Sequence, residues 1–187
     1  MKIPVHLSRT SINKAKQQLQ QIIKQLENQM INELLLECCQ RIIQLANERV
    51  DQSTIGSAVK AAIKSGWEIP VIQGNRAVLR NTDDKAVFVE FGVGIVGSEQ
   101  DHALAEVNHY QYNIGKQIAP DGSWGFFTEN EENIDIQEQY IDRIDDNGMF
   151  VITHGSPAVM YAYNALIDLK EKYIHEIWQK IKVKYWG

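Results

Sequence analysis

Apolar residues recur at helical spacing from Ile12 to about Val50, and neither Pro nor Gly interrupts them. Ile12, Ala15, Leu19, Ile22, Leu26 and Met30 give way to Ile31, Leu35, Cys38, Ile42 and Ala46, a pattern that predicts a helix over 12–50. Ser11 offers a side-chain oxygen as its cap. At 1.5 Å per residue such a helix is about 58 Å long, more than a small domain is wide. Its first half, KQQLQQIIKQLENQ, carries a narrow apolar stripe between glutamines, whereas MINELLLECCQRIIQLA is apolar over a broad face. The second half therefore reads as core, and residues 1–28 read as a protruding arm that lies on a neighbour or on a sheet edge. The stripe changes phase between Asn28 and Met30, which allows a kink or break there.

Shorter periods follow. A second helix is predicted over 54–64, capped by Ser53 or Thr54 and stopped by Ser65 and Gly66. WEIPVIQGNRAVLRN reads as two strands joined at Gly74 and Asn75, with Pro70 pushing the first towards a sheet edge. After a turn at TDDK, the β-branched and aromatic run AVFVEFG reads as the third and strongest strand. Residues 93–123 lose periodicity and read as a long loop, and a short strand follows at 124–128. A last strand is expected at 149–153, before Pro157 opens a final helix with Ser156 as its cap. The stripe of that helix is Ala158, Ala162, Ala165, Leu166, Leu169, Tyr173, Ile177 and Ile181. The order α-α-β-β-β-loop-β-β-α predicts an α+β fold, with an antiparallel sheet packed against a long N-terminal helix and a C-terminal helix. The length of 187 residues suits one domain spanning the chain.

Composition narrows the classes. Apolar residues make up 44% and charged residues 23%, the usage of an ordinary folded protein. A net charge of −5 argues against a general electrostatic grip on DNA, RNA or an anionic membrane. Residues 129–146 hold 8 acidic side chains against Arg143 alone, a charge of −7, so this stretch reads as an acidic, solvated insertion. No stretch approaches the roughly 18 apolar residues of a membrane span, and MKIPVHLSRTS lacks the apolar centre of an export signal. Cys38 and Cys39 are neighbours within a helix, so they are expected to be small buried hydrophobes in a reducing compartment rather than a disulfide pair.

Candidate chemistry is sparse. Gly92, Gly94 and Gly97 match G-x-G-x-x-G, yet no Lys-Ser pair or βαβ unit accompanies them, so the glycines read as a strand end rather than a phosphate cradle. His102, Glu106 and His109 raise a metal site and, with it, a metal-dependent hydrolase as an alternative function. Their spacing is not that of H-E-x-x-H, and exposed loop histidines are the ordinary reading. His154 has no nucleophile elbow near it, and Ser156 reads as a helix cap. Glu90 lacks a catalytic partner in sequence and is expected to contact backbone or a neighbouring subunit. A coiled-coil adaptor is a further alternative, although the arm sustains only about two clean heptads, short of the three or four that such a reading needs.

Three motifs taken in order carry a resemblance: VEFGVG, then YQYNIG with SWGFF, then ITHGSPAVMYAYNAL. Together they resemble the tail-completion or head–tail joining proteins of long-tailed bacteriophages, a family that includes minor tail and tail-terminator-like members. There V-E-x-G-T-G ends a strand, a Trp-Phe or Trp-Tyr strand follows, and T-x-G-x-P-A-x-P-F-M starts a helix. Val93 stands where that family has Thr, Ala162 lies near the usual Phe-Met pair, and 129–146 looks inserted. The resemblance implies a structural virion protein of the neck or tail, assembled in the host cytoplasm as a six-fold homo-oligomeric ring. Its expected neighbours are connector or stopper proteins and the major tail tube protein. DNA would pass through without specific binding, and neither catalysis, cofactor nor membrane is implied. The motif residues become assembly candidates. Glu90, Phe91, Gly92 and Gly94 lie in the first motif, Tyr110, Tyr112 and Trp124 in the second, and His154, Gly155, Pro157, Met160 and Tyr161 in the third.

Overall fold

The computed structural model of the protein describes residues 9–100, 102–112, 119–128, 139–145 and 148–186. Helix α1 spans Arg9–Gln52 without interruption, so the change of stripe at residues 28–30 produces no break. Good helix formers continue through that point, and 44 residues reach about 66 Å. Helix α2 covers Ser57–Ser65, starting later than the sequence suggests. Gly56 precedes it without a side-chain cap, and Ser53 instead closes α1, its Oγ donating to the Val50 carbonyl at 2.6 Å. Gly66 ends α2, with the Asn81 amide donating to the Ile63 carbonyl at 2.7 Å. Strands β1 (Val71–Gln73) and β2 (Arg76–Val78) form the expected hairpin, turning at Gly74 with φ +63°.

The run AVFVEFG is a helix rather than the strongest strand: α3 spans Ala86–Phe91. Ala86, Val89 and Glu90 are buried while Val87 and Phe88 are 42% and 44% exposed, the i, i+3, i+4 pattern of one helical face. A second short helix, α4 at Gly94–Glu99, lies within the expected loop. Strands β3 (Trp124–Thr128), β4 (Gln139–Asp145) and β5 (Gly148–Thr153) make an antiparallel sheet in the order β3-β5-β4. Residues 139–145 of the acidic run are thus a strand and not a loop, while 129–138 and 146 lie outside the described residues. Along β5, Met149, Val151 and Thr153 are buried in strict alternation.

Residues Gly155–Ser156 form a two-residue strand, β6, bridged antiparallel to Val93 and Gly94. The C-terminal helix consequently starts at Tyr161 and not at Pro157, and Ser156 caps nothing. It runs as α5 (Tyr161–Asp168), one π-helical turn (Leu169–Tyr173) and α6 (Ile174–Trp186). Leu166, expected in its buried stripe, is 50% exposed.

The core gathers Leu45, Ala46 and Val50 of α1, Ile63 of α2, Ala86 and Val89 of α3, and Tyr161 and Ala165 of α5. Fully burying side chains such as Val50 and Ile63 contributes about 1.5–3 kcal/mol each. The fold is α+β, with antiparallel sheets, a long N-terminal helix and a C-terminal helix that packs along it. At the far end of this packing Glu33 accepts hydrogen bonds from Lys184 at 2.6 Å and Tyr185 at 2.9 Å, so the end of α6 docks on α1. Lys184, followed by Tyr185, holds the Glu33 carboxyl below the usual range. Cys38 and Cys39 are buried and free, and burial pushes both thiols up.

Residues 12–29 are exposed apart from Ala15 and Ile22. Ile12, Leu19, Ile23 and Leu26 remain 43–50% exposed. At about 100° per residue this stripe lies in phase with Met30, Glu33 and Glu37, the face of α1 on which the end of α6 docks.

Candidate functional site

The glycine-flanked motif builds a clamp between α3 and the start of α5. The Lys85 amide donates to Asp83 Oδ1 at 2.9 Å and starts α3, and Gly92 with φ +80° stops it one turn after Phe88. Glu90 thereby points inward, 9% exposed. Its Oε2 accepts the Ala162 amide at 2.8 Å, and its Oε1 accepts the Tyr163 amide at 2.9 Å. These are the second and third residues of α5, so a carboxylate 72 positions upstream does the work of an N-cap and also meets the positive end of the helix. Met160 sits at the cap position with φ 52°, in the left-handed region, held by its own amide donating to the Glu90 carbonyl at 3.2 Å. Glu90 was expected to contact backbone or a neighbour, and the contact is with backbone of its own chain.

His102 completes the clamp. Its Nε2 lies 3.0 Å from Glu90 Oε1, and its Nδ1 accepts the Leu104 amide at 3.0 Å. An acceptor at Nδ1 fixes the proton on Nε2, so the ring donates to Glu90. Both nitrogens are therefore engaged by the protein, and the imidazole is only 2% exposed. No group of three or more His, Cys, Asp or Glu among the described residues could hold a metal, so His102, Glu106 and His109 are not assembled as a ligand set. Sequence reasoning treated His102 as an exposed loop residue. Its position after the short helix gave no local sign of the Glu90 partner.

Aromatic rings surround the pair. Phe91 stacks on Tyr110 with centroids 4.7 Å apart and leans on His102 at 4.3 Å, while Tyr163 meets His102 edge-on at 5.1 Å. The Tyr110 hydroxyl donates to the Gly92 carbonyl at 2.6 Å, and the Gly94 amide donates to the Tyr112 carbonyl at 3.0 Å. Burial, with some help from Tyr112, pushes the Tyr110 phenol up to about 12. The Tyr112 ring meets Tyr110 edge-on at 5.0 Å, and its hydroxyl is buried with no hydrogen-bond partner among the described residues.

The glycines serve backbone contact. A Cβ on Gly155 (φ +113°) would lie 1.8 Å from the Val93 carbonyl oxygen, and one on Gly94 (φ +69°) would lie 2.3 Å from that of His154. The two segments cross so closely that only hydrogen fits between them.

The remaining candidates scatter. Tyr161 is 3% exposed and belongs to the core, edge-on to Trp67. Trp124 stands on β3 beside Phe126, with centroids 5.6 Å apart. The His154 ring is 42% exposed and 4.0 Å from Asp121, whose carboxyl is held low by hydrogen bonds from Ser123. Pro157 and Met160 are half-buried in the link to α5. The structure thus joins Glu90, Phe91, Gly92, Gly94, Tyr110, Tyr112 and Gly155 with His102, and leaves Trp124 and His154 outside the clamp.

Chemically the arrangement fixes a strap across the start of a helix, because Glu90 and His102 spend their polar atoms on each other and on backbone. Open clefts among the described residues lie elsewhere. One of about 300 Å³ runs between α1 and the C-terminal helix near Arg41 and Tyr173, and one of about 410 Å³ lies between Asn28, Asn32 and the hairpin tip at Asn75. No family model, curated protein or solved structure matches the chain.

Proposed function

We propose that the chain is a structural component of a tailed-phage particle, a tail-completion or head–tail joining protein that acts by assembling into a ring around the DNA path. The motif order in the sequence suggests the class. The observation that carries the assembly reading is α1, whose first half leaves Ile12, Leu19, Ile23 and Leu26 about half exposed, beyond the stretch of the same face that α6 covers. A helix of that kind is built for an element from outside its own domain.

Other features are consistent with this reading. A net charge of −5 suits a channel wall that does not hold DNA. The motif glycines and Glu90 secure a rigid body on which an arm can be mounted. Connector or stopper proteins and a tail tube protein are the partners this role requires. The coiled-coil adaptor is the second reading, since Ile12, Ala15, Leu19, Ile22 and Leu26 follow a heptad seam.

Sedimentation velocity and negative-stain microscopy of the purified full chain, alone and with neck proteins, test the proposal. Closed rings are expected. A monomer under every condition, or a two-chain coiled coil and nothing larger, refutes it.

A further inference from the structure

We propose that the helical arm of one copy seats against β4 of a second copy, forming the head-to-tail joint of the assembly. The inference rests on the ring reading above and adds to it the two surfaces that meet.

The first surface is the arm stripe. It spans about 100° of the helix circumference, the narrow seam suited to one packed element and not to a broad core. The stripe runs on in phase into Met30 and Glu33, which Trp186 and Tyr185 of α6 cover, and among the described residues no element continues that cover along Ile12, Leu19, Ile23 and Leu26.

Charge selects the partner. Residues 9–29 carry Arg9, Lys14, Lys16 and Lys24 against Glu27, a net of +3, so the remainder of this −5 chain carries −8. Residues 129–146 hold −7 of that. A basic arm on an acidic body is complementary to another copy of the same chain.

The second surface is the described strand of that acidic stretch. Among the described strands β4 lies at the edge of the three-stranded sheet, with β5 on one side of it. It exposes Ile141 (41%) and Ile144 (72%), with exposed Asp142 between them. A bulge between Ile141 and Arg143 puts the two isoleucines opposite Val151 and Met149, so both lie on one face of the sheet. An apolar pair beside a carboxylate then meets an apolar stripe beside lysines. Because the arm and the strand are different surfaces, the contact is heterologous, the kind that propagates from copy to copy until a ring closes.

Full-length variants test the joint. Lys14→Glu/Lys16→Glu/Lys24→Glu and, separately, Leu19→Ser/Ile23→Ser alter exposed side chains only, so thermal unfolding should match the wild type. Self-association measured by sedimentation should weaken at least tenfold in each, and Asp142→Lys in the second chain should recover part of the loss in the triple lysine variant. A Leu19→Cys chain mixed with an Ile144→Cys chain should form an interchain disulfide that neither forms alone. If the wild type assembles but both arm variants assemble equally well, or the mixed disulfide fails, the joint is overturned while the ring reading stands. A Leu19→Cys homodimer would also overturn it, since arm would then pair with arm. So would charge reversal that abolishes binding to duplex DNA and leaves self-association intact. A wild type that never assembles removes both proposals.

Discussion

Replacing Glu90 by Ala removes one side chain and disconnects three donors, the amides of Ala162 and Tyr163 and the Nε2 of His102. Loss of an N-cap costs about 1–2 kcal/mol. Leaving the buried His102 donor unsatisfied adds about 1–3 kcal/mol, and the two losses overlap because one carboxylate serves both. A total of about 3 kcal/mol is expected, which for a chain of this size lowers Tm by about 6–12 °C. Glu90→Gln retains one carbonyl acceptor but turns an NH2 towards a helix amide, so about half that loss is expected. Urea unfolding followed by tryptophan fluorescence gives the free energies, and a cycle with His102→Ala isolates the pair at about 1 kcal/mol of coupling. A loss below about 0.5 kcal/mol for Glu90→Ala, the range of an ordinary surface substitution, would refute the clamp.

Three further outcomes follow from the geometry. Gly155→Ala should abolish soluble folding or cost more than about 3 kcal/mol, because its Cβ meets the Val93 carbonyl, whereas Gly74→Ala has open space and should cost only about 1 kcal/mol for its positive φ; melting curves compare them. Tyr110 titrates at about 12 and Tyr161 is raised further, by burial and then by Glu90, while an unfolded phenol titrates near 10. The contribution of Tyr110 is complete below about pH 10 and is lost as pH rises through about 12, that of Tyr161 at still higher pH, so absorbance at 295 nm should show both phenols ionising well above the usual range in the folded protein and near pH 10 once it is unfolded. Hydrogen bonds from Lys172 and then Arg49 hold the Asp168 carboxyl low. The stability it contributes is present above about pH 4 and lost as pH falls through its lower folded value, and Asp168→Asn should flatten that acid decline in denaturant titrations.

Elements whose signals are local were legible in the sequence. The long helix, the Gly74 hairpin and the strands at Trp124 and Met149 declare themselves through period and turn chemistry. The failures share a cause in distant contacts. AVFVEFG has the composition of a strand, but Ala86, Val89 and Glu90 fall on one helical face once α5 and α1 cover them, and packing overrides β-propensity. The start of the last helix was misplaced at Pro157 because its cap is Glu90, far upstream, and no nearby residue advertises it. β4 was hidden by its charge, which made a strand look like solvent-facing loop. For the clamp, Glu90 and the glycines stood out, whereas His102 could be paired with Glu90 only after the fold brought them together.

The crossing at Gly94 and Gly155 also governs how this sequence can drift. Helix faces tolerate exchange among apolar residues, and the Gln-rich arm can vary widely while keeping its stripe. Two backbones that touch where a side chain would stand allow no substitute on either strand, since no exchange elsewhere moves both carbonyls aside. A diverged descendant that keeps this architecture will therefore carry glycine at both places, about sixty residues apart and each beside a short bridge, after most of its other letters have changed.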